Sequence, residues 1–193
     1  MGRGGVGWGV LGGFGGGGGG GGSVVDSDVT QWEEVVRTNV LGAALLIREA
    51  GKVLAGDLLE AGAEGLPPVS GGDWRAWGAR DVVVIGSNVG KHISPFSSMY
   101  GSTKFAVNSL AEAARRELGP KGVRVTLVAP GIVRSEFQEV AEYDPATFGE
   151  FMDRIGPVLE PEDVAGAVLY VVGQPAHVHV NDVTIRPTRQ DYP

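Results

Sequence analysis

Downstream of residue 28, the apolar residues follow the periods of helices and strands. Asp28 or Thr30 can cap a helix that we predict to run to about residue 50, because apolar residues recur there at the spacing of one helical face: Val35, Val36, Val40, Leu41, Ala44 and Leu45. Two further helices are predicted over residues 98–118 and 161–173. Gly119 and Pro120 end the first of these, and Pro161 suits the first turn of the second.

Three short apolar runs rich in β-branched residues predict strands. They cover residues 81–86, 123–128 and 182–186, and such runs are typical of strands buried on both faces of a parallel sheet. Because strands and helices alternate, the sequence predicts an α/β fold with a parallel sheet and right-handed crossovers. Residues 134–160 are predicted to be a mobile segment with one or two helical pieces.

Two stretches lack such patterns. The first 22 residues hold 15 of the 33 glycines, and because glycine loses the most entropy on ordering, we predict that residues 1–27 form a flexible segment. The letters from Gly7 to Gly12 match the G-x-G-x-x-G pattern of phosphate-binding turns, but chance produces this match in so glycine-rich a stretch, and a linker is favoured. Residues 51–80 are predicted to be an inserted loop, with a helical piece around 53–61 and with Trp74 and Trp77 near its end.

Composition and charge exclude several classes of protein. With 193 residues, 42% hydrophobic and 20% charged, the chain is long enough for one domain with a buried core. A net charge of −7 and a pI of about 5.0 argue against nucleic acid or an anionic membrane as the partner. The chain has no cysteine, which excludes disulfides and thiol chemistry, and it has no apolar run typical of a membrane span or an export signal. We therefore expect a cytoplasmic protein.

The strongest chemical signal is the pair Tyr100 and Lys104, which lie four residues apart in a predicted helix and therefore one turn apart on one face. A phenol with a pKa of about 10 is a poor base at neutral pH, but a neighbouring ammonium favours the phenolate and lowers that pKa. The pair can then exchange a proton with a bound alcohol or carbonyl oxygen. Taken alone, this spacing is common on helices.

Other polar residues are placed where a site would form. Ser87 follows the strand at 81–86, at the carboxyl end where open α/β sheets bind ligands, and the thirteen residues to Tyr100 allow the loop to return its hydroxyl beside the phenol. Pro130 and Gly131 follow the next strand at the same end. Asn39 lies in the middle of a predicted helix, where asparagine is unfavourable unless it has a role.

Together and in this order, these features resemble the short-chain dehydrogenase/reductase family from residue 28 to the C-terminus. The matching features are the N-V-x-G helix at Asn39, the strand ending at Ser87, the Y-x-x-x-K motif, the P-G-x-V turn at Pro130 and the last strand. Residues 161–165, 174–177 and 186–190 also resemble the branch that includes serine and 3-hydroxy acid dehydrogenases. The resemblance implies a partial Rossmann-like fold with a doubly wound parallel sheet. It also implies NAD(P)-dependent interconversion of a secondary alcohol and a ketone, both small molecules.

The resemblance implies a role for each matching residue. Tyr100 would be the general acid and base, Lys104 would lower its pKa and hold the nicotinamide ribose, and Ser87 would hydrogen-bond the substrate oxygen. Asn39 would anchor a water that links Lys104 to solvent. Four residues would line the nicotinamide, with the backbone of the last two facing its amide: Pro130, Gly131, Ile132 and Val133. Ser135 keeps a hydroxyl where the family often has threonine, and we include it among the cofactor-binding residues.

The first half of the family pattern is absent from the sequence. Missing are the opening strand, the T-G-x-x-x-G-x-G turn, the residue that selects NAD or NADP, and the N-N-A-G strand, which together bind the adenosine and pyrophosphate. The strand at 81–86 is therefore expected to lack a neighbour. The branch resemblance leans to NADP over NAD. Two functions stay open: an active oxidoreductase, or a non-catalytic remnant (a truncated paralogue or an incomplete gene model) that acts, if at all, through another subunit.

The sequence also bears on metal binding and on assembly with other subunits. His177 and His179 would share a face of a strand-like segment, but with no third ligand nearby we interpret them as a structural or surface pair and predict no metal site. The family's helices that correspond to residues 28–50 and 98–118 commonly pack against partner subunits. The resemblance therefore implies a homo-oligomer.

Overall fold

The computed structural model of the chain describes residues 7–12, 24–25, 28–60, 78–92, 98–134 and 145–192. In this part of the chain, four strands form one sheet in the order β1 (Gly7–Gly12), β2 (Arg80–Ile85), β3 (Arg124–Pro130) and β4 (Asp182–Ile185). Each strand pairs in parallel with the next. The predicted α/β fold with a parallel sheet is confirmed.

The first strand differs most from the sequence prediction. Residues 7–12 pair with β2 from Gly7 opposite Arg80 to Gly12 opposite Ile85, so they are not a flexible tail, and β2 does not lack a neighbour. Half of these residues are glycine, which has no side chain to show a period of two and a low propensity for strands. The strand is therefore set by pairing with β2. All three glycines of the G-x-G-x-x-G match lie within the strand, whereas a phosphate-binding turn needs them after it.

The helical part that follows residue 28 is longer than predicted. The side chain of Asp28 accepts hydrogen bonds from the N–H and the hydroxyl of Thr30, at 2.9 and 2.8 Å, and caps the first turn. Helical residues then continue through α1 (Trp32–Val36), a π-helical segment (Arg37–Gly42) and α2 (Ala43–Glu60).

Gly51 explains why the predicted end near residue 50 is wrong. A Cβ at this position would lie 3.1 Å from Cδ1 of Leu118, so the missing side chain lets α2 approach the end of a neighbouring helix closely. The favourable contact offsets the low helix propensity of glycine, which is about 1 kcal/mol below that of alanine. The stretch 51–60 is helix, and residues 61–77, which include Trp74 and Trp77, lie outside the described residues.

The remaining helices are α3 (Ser98–Leu118), α4 (Pro145–Ile155) and α5 (Pro161–Val172). The first has the predicted bounds, and the last ends one residue before the predicted end. The fourth lies in the stretch for which one or two helical pieces were predicted. Residues 135–144 lie outside the described part of the chain.

The sheet is covered on both faces, as a doubly wound fold requires. Alternate residues of β2 and β3 pack on one side against α2 and α3, in a cluster that includes Ile47, Val82, Val84, Val107, Leu118, Val125 and Leu127. The other residues of these strands pack against α5, in a second cluster that contains Val83, Val128, Val171 and Val172. None of the helices in the described ranges is long and apolar enough to cross a membrane.

A buried ion pair ties the amino ends of β2 and β3. Arg124 donates two hydrogen bonds to the carboxylate of Asp81, from Nε at 2.8 Å and from Nη2 at 2.7 Å. The side chains are only 6% and 2% exposed. Nη1 donates to the carbonyl oxygens of Gln174, Pro175 and Val178 at 2.8 to 3.0 Å, so Arg124 also fixes the loop that follows α5.

Candidate active site

Tyr100 and Lys104 meet in the first turns of α3. The Nζ atom of Lys104 lies 5.4 Å from the centroid of the Tyr100 ring, within the range of a cation–π contact. The spacing of four residues places both side chains on one face of the helix. The structure therefore brings the phenol and the ammonium together as the sequence predicts.

Lys104 is buried, with 2% of its surface exposed. Burial lowers the pKa of Lys104 from its ordinary value of 10.5 to about 8, because a charged ammonium loses its hydration there. At neutral pH this lysine is still a cation. Its proton is nevertheless held much less firmly than that of a lysine in water, which suits a group that supports proton transfer.

Ser87 lies immediately after β2, in a loop that packs against the same part of α3. Its Oγ accepts a hydrogen bond of 3.4 Å from the N–H of Val89. The amide of Asn108 donates to the carbonyl oxygen of Gly90 at 2.9 Å, and a Cβ on Gly90 would lie 2.8 Å from the carbonyl carbon and oxygen of Lys104. The loop of Ser87 is thus docked beside the helical turn of Lys104. Residues 93–97, between this loop and α3, lie outside the described residues.

Asn39 lies in the π-helical segment and is fully buried. Its Nδ2 donates a hydrogen bond of 3.1 Å to Oγ1 of Thr103, the residue before Lys104, and that hydroxyl donates to the carbonyl oxygen of Tyr100 at 2.7 Å. The Oδ1 atom of Asn39 is buried and accepts no hydrogen bond from the described residues. Short π-helical segments often occur at functional sites, and this one carries an amide that contacts the Tyr100 turn.

The turn after β3 is held by three backbone contacts. Gly131 donates its N–H to the carbonyl oxygen of Ile185 at 2.7 Å, and Ile132 accepts a hydrogen bond of 3.1 Å from the N–H of Leu159. Val133 and Leu159 form a parallel bridge, in which Arg134 donates to the carbonyl oxygen of Leu159 at 2.7 Å.

These contacts fix the direction of the backbone groups of Val133. In a parallel bridge the partner bonds to the residues on either side of the bridged one, so the N–H and C=O of Val133 are directed away from Leu159. The C=O of Ile132 is used by Leu159, and its N–H donates to Oε1 of Gln190 at 3.1 Å. Pro130 is buried at the end of β3, and Ser135 lies outside the described residues.

Three polar residues around the site were missed in the sequence analysis. Thr103 contacts Asn39, and Asn108 contacts the Ser87 loop. Thr103 lies three residues after Tyr100 and Asn108 four residues after Lys104, so helical spacing was the signal that could have found them. Gln190 lies in a C-terminal stretch without periodic pattern. Only the resemblance of residues 186–190 to one branch of the family pointed to that stretch.

His179 is engaged with the backbone of β3. Its Nε2 atom lies 3.0 Å from the nitrogen and 2.9 Å from the oxygen of Val125, and burial lowers the pKa of the imidazole. β4 begins only at Asp182, so the two histidines do not lie in a strand. In the described residues, no three His, Cys, Asp or Glu side chains cluster closely enough to hold a metal.

A cleft of about 260 Å³ lies between α3 and β4. Its walls include Lys91, Asn108, Glu112 and Asp182, and Lys91 forms an ion pair with Asp182 across it. Neither Ser87 nor the Tyr100 pair lines this cleft. It shares Asn108 with the contact that holds the Ser87 loop against α3.

Several relatives of known sequence are named as oxidoreductases. Residues 75–145, which include Ser87, Tyr100, Lys104 and Pro130, match the profile of the short chain dehydrogenase family. An uncharacterized oxidoreductase of Staphylococcus aureus (strain MW2) is 30% identical over 164 residues, which cover 85% of this chain and 58% of the relative. Dehydrogenase/reductase SDR family member 11 of Mus musculus is 30% identical over 173 residues, which cover 87% and 59%. The chain thus spans less than two thirds of the length of these relatives.

Solved structures of similar fold agree with this assignment. The closed form of a serine dehydrogenase complexed with NADP+ has a TM-score of 0.69 and 30% identity, and the match covers 89% of this chain and 61% of that one. Serine dehydrogenase from Escherichia coli has a TM-score of 0.61 and 26% identity, with 89% and 60% covered. With the order of the elements and the position of the Y-x-x-x-K motif on α3, these matches show that the chain belongs to the short-chain dehydrogenase/reductase family.

Proposed function

We propose that the protein is an NAD(P)-dependent oxidoreductase that interconverts a secondary alcohol and a ketone. The main observation in support is that the buried ammonium of Lys104 lies against the ring of Tyr100, with the loop of Ser87 packed beside the same helical turn. The oxidoreductases among its relatives support the proposal and favour it over a non-catalytic remnant. The proposed substrates are small molecules. The cytoplasmic location of the protein remains a prediction from the sequence.

The residues present fit the nicotinamide half of a dinucleotide. The backbone N–H and C=O of Val133 are directed away from Leu159, where they would meet a carboxamide, and Lys104 would hold the ribose. Pro130, Gly131 and Ile132 would line the ring, and the role of Ser135 in binding the cofactor stays a prediction from the sequence. When bound, the nicotinamide supplies or accepts a hydride at the carbonyl carbon. We favour NADP, because a structural neighbour is complexed with NADP+.

The protein's own residues would move the proton. During reduction the Tyr100 hydroxyl gives its proton to the substrate oxygen, and during oxidation the phenolate takes it back. The positive charge of Lys104 stabilises the phenolate, and the Ser87 hydroxyl donates a hydrogen bond to the same substrate oxygen. The buried Oδ1 of Asn39 suits a water that would return protons from solvent to Lys104.

The test compares Tyr100→Phe with Tyr170→Phe, an identical change on α5 where the tyrosine is 59% exposed. Loss of the general acid should lower NADPH-dependent reduction of a small ketone by about a hundredfold or more, whereas the α5 variant should match the wild type. Undiminished turnover in Tyr100→Phe would remove Tyr100 from the mechanism. Calorimetric titration of the wild type with NADPH separates the two functions, because a remnant would show no binding.

We also propose that the protein assembles with copies of itself. Four large aliphatic side chains are more than half exposed along α2 and the segment before it: Leu41, Leu45, Leu46 and Val53. Exposed aliphatic side chains of this kind are typical of a helix that packs against another subunit. Light scattering on the purified protein should give a mass at least twice that of the chain, and a monomer at all concentrations would contradict the proposal.

A further inference from the structure

We propose that Gln190 is a positioning residue that fixes the turn from Pro130 to Val133 for the nicotinamide. Gln190 is 5% exposed, although Arg189 before it and Asp191 after it are exposed. Its Oε1 accepts the N–H of Ile132 at 3.1 Å. A buried amide at this point, inside an exposed C-terminal tail, indicates a specific contact rather than a solvated side chain.

Gly131 shows how closely the side chain fits. A Cβ on Gly131 would collide with Oε1 of Gln190 and would lie 3.2 Å from Cγ of Arg186. The tail forms a turn at this point, in which Gln190 donates its own N–H to the carbonyl oxygen of Pro187 at 3.0 Å. The absence of a side chain at Gly131 therefore leaves room for this amide in its observed position.

The contact fixes the backbone of Ile132, the residue before Val133. Gln190 takes the N–H of Ile132 and Leu159 takes its C=O, so Ile132 is anchored on both sides. With this residue fixed, the N–H and C=O of Val133 keep one direction. The inference rests on the proposed function, in which Val133 meets the carboxamide.

The experiment compares Gln190→Met, which keeps the length of the side chain but removes the acceptor, with Gln190→Glu, which keeps an acceptor oxygen. Gln174→Met is the matched control: its amide donates to the carbonyl oxygen of Tyr170 at 2.8 Å, in the loop after α5. Amide hydrogen exchange of Ile132 is measured by NMR without any nucleotide. Binding of reduced nicotinamide mononucleotide and of NADPH is measured by nicotinamide fluorescence.

We expect Gln190→Met to speed exchange of the Ile132 amide and to weaken binding of the mononucleotide, each by about tenfold, as loss of one buried hydrogen bond implies. Gln190→Glu should retain protection, and Gln174→Met should change neither quantity. Unchanged exchange in Gln190→Met would overturn the proposal, and so would faster exchange with unchanged binding. If the wild type binds neither nucleotide, the proposed function fails, while the exchange measurement still decides whether Gln190 fixes the turn.

Discussion

A buried cation lies at each end of the parallel sheet, and the surroundings of the two cations differ. At the amino end, Arg124 meets the carboxylate of Asp81 and three backbone carbonyls. At the carboxyl end, burial lowers the pKa of Lys104 to about 8, whereas a dominant carboxylate partner would have raised it. Nearby, the Oδ1 atoms of Asn39 and Asn108 are buried and accept no hydrogen bond from the described residues.

The difference separates stability from chemistry. A guanidinium whose donors are all used holds strands and loop in place and has no proton to exchange near neutral pH. An ammonium whose pKa is lowered by burial to about 8 reduces the stability of the folded protein. It can, however, release its proton closer to neutral pH, which suits proton transfer. The amino end is therefore expected to be where substitutions unfold the protein, and the carboxyl end where they change its activity.

The largest effect is expected from Arg124→Met. The change leaves the carboxylate of Asp81 buried without its cation, which should lower the free energy of unfolding by about 3–5 kcal/mol. Urea denaturation followed by circular dichroism measures it. The control is Arg116→Met, which removes an exposed arginine paired with Glu112 and should cost less than about 1 kcal/mol. Equal losses in both variants would show that the amino end has no special role in stability.

A change of opposite sign is expected from Lys104→Met, which should raise the free energy of unfolding at pH 7 by up to about 3 kcal/mol. Because the folded-state pKa of about 8 lies below the unfolded value of 10.5, the unfolded chain binds more protons between these limits. The stability of the wild type should therefore rise with pH across this window, and that rise should vanish in the variant. The exposed Lys52→Met serves as the control. A destabilised Lys104→Met protein would contradict the comparison.

The smallest effect tests the ion pair as a unit. Adding Asp81→Leu to Arg124→Met removes the stranded carboxylate, so the double variant should recover at least about 1 kcal/mol of the loss. Recovery stays incomplete because the carbonyls of Gln174, Pro175 and Val178 still lack their donor. A double variant less stable than Arg124→Met would show that Asp81 contributes through contacts other than this pair.

The helices and strands that could be predicted are those in which apolar or β-branched side chains recur at a regular spacing. The bounds of α3 agree with the prediction, and the β-branched runs of β2 and β3 are strands within two residues of the predicted ends. β1 was missed because half of it is glycine, so its place depends on hydrogen bonds to β2. The predicted end of the helix near residue 50 is too early, because Gly51 continues α2 and packs closely against Leu118, which is far along the chain.

The sequence by itself determined the α/β class, the place of the Tyr100 pair on one helical face and the order of the motifs, because each depends on spacing along the chain. Only the tertiary structure decided that Lys104 is buried, that Asn39 bonds to Thr103 and that Gln190 holds Ile132. Burial and contacts between residues distant in sequence arise when elements pack, and neither leaves a periodic trace in the chain.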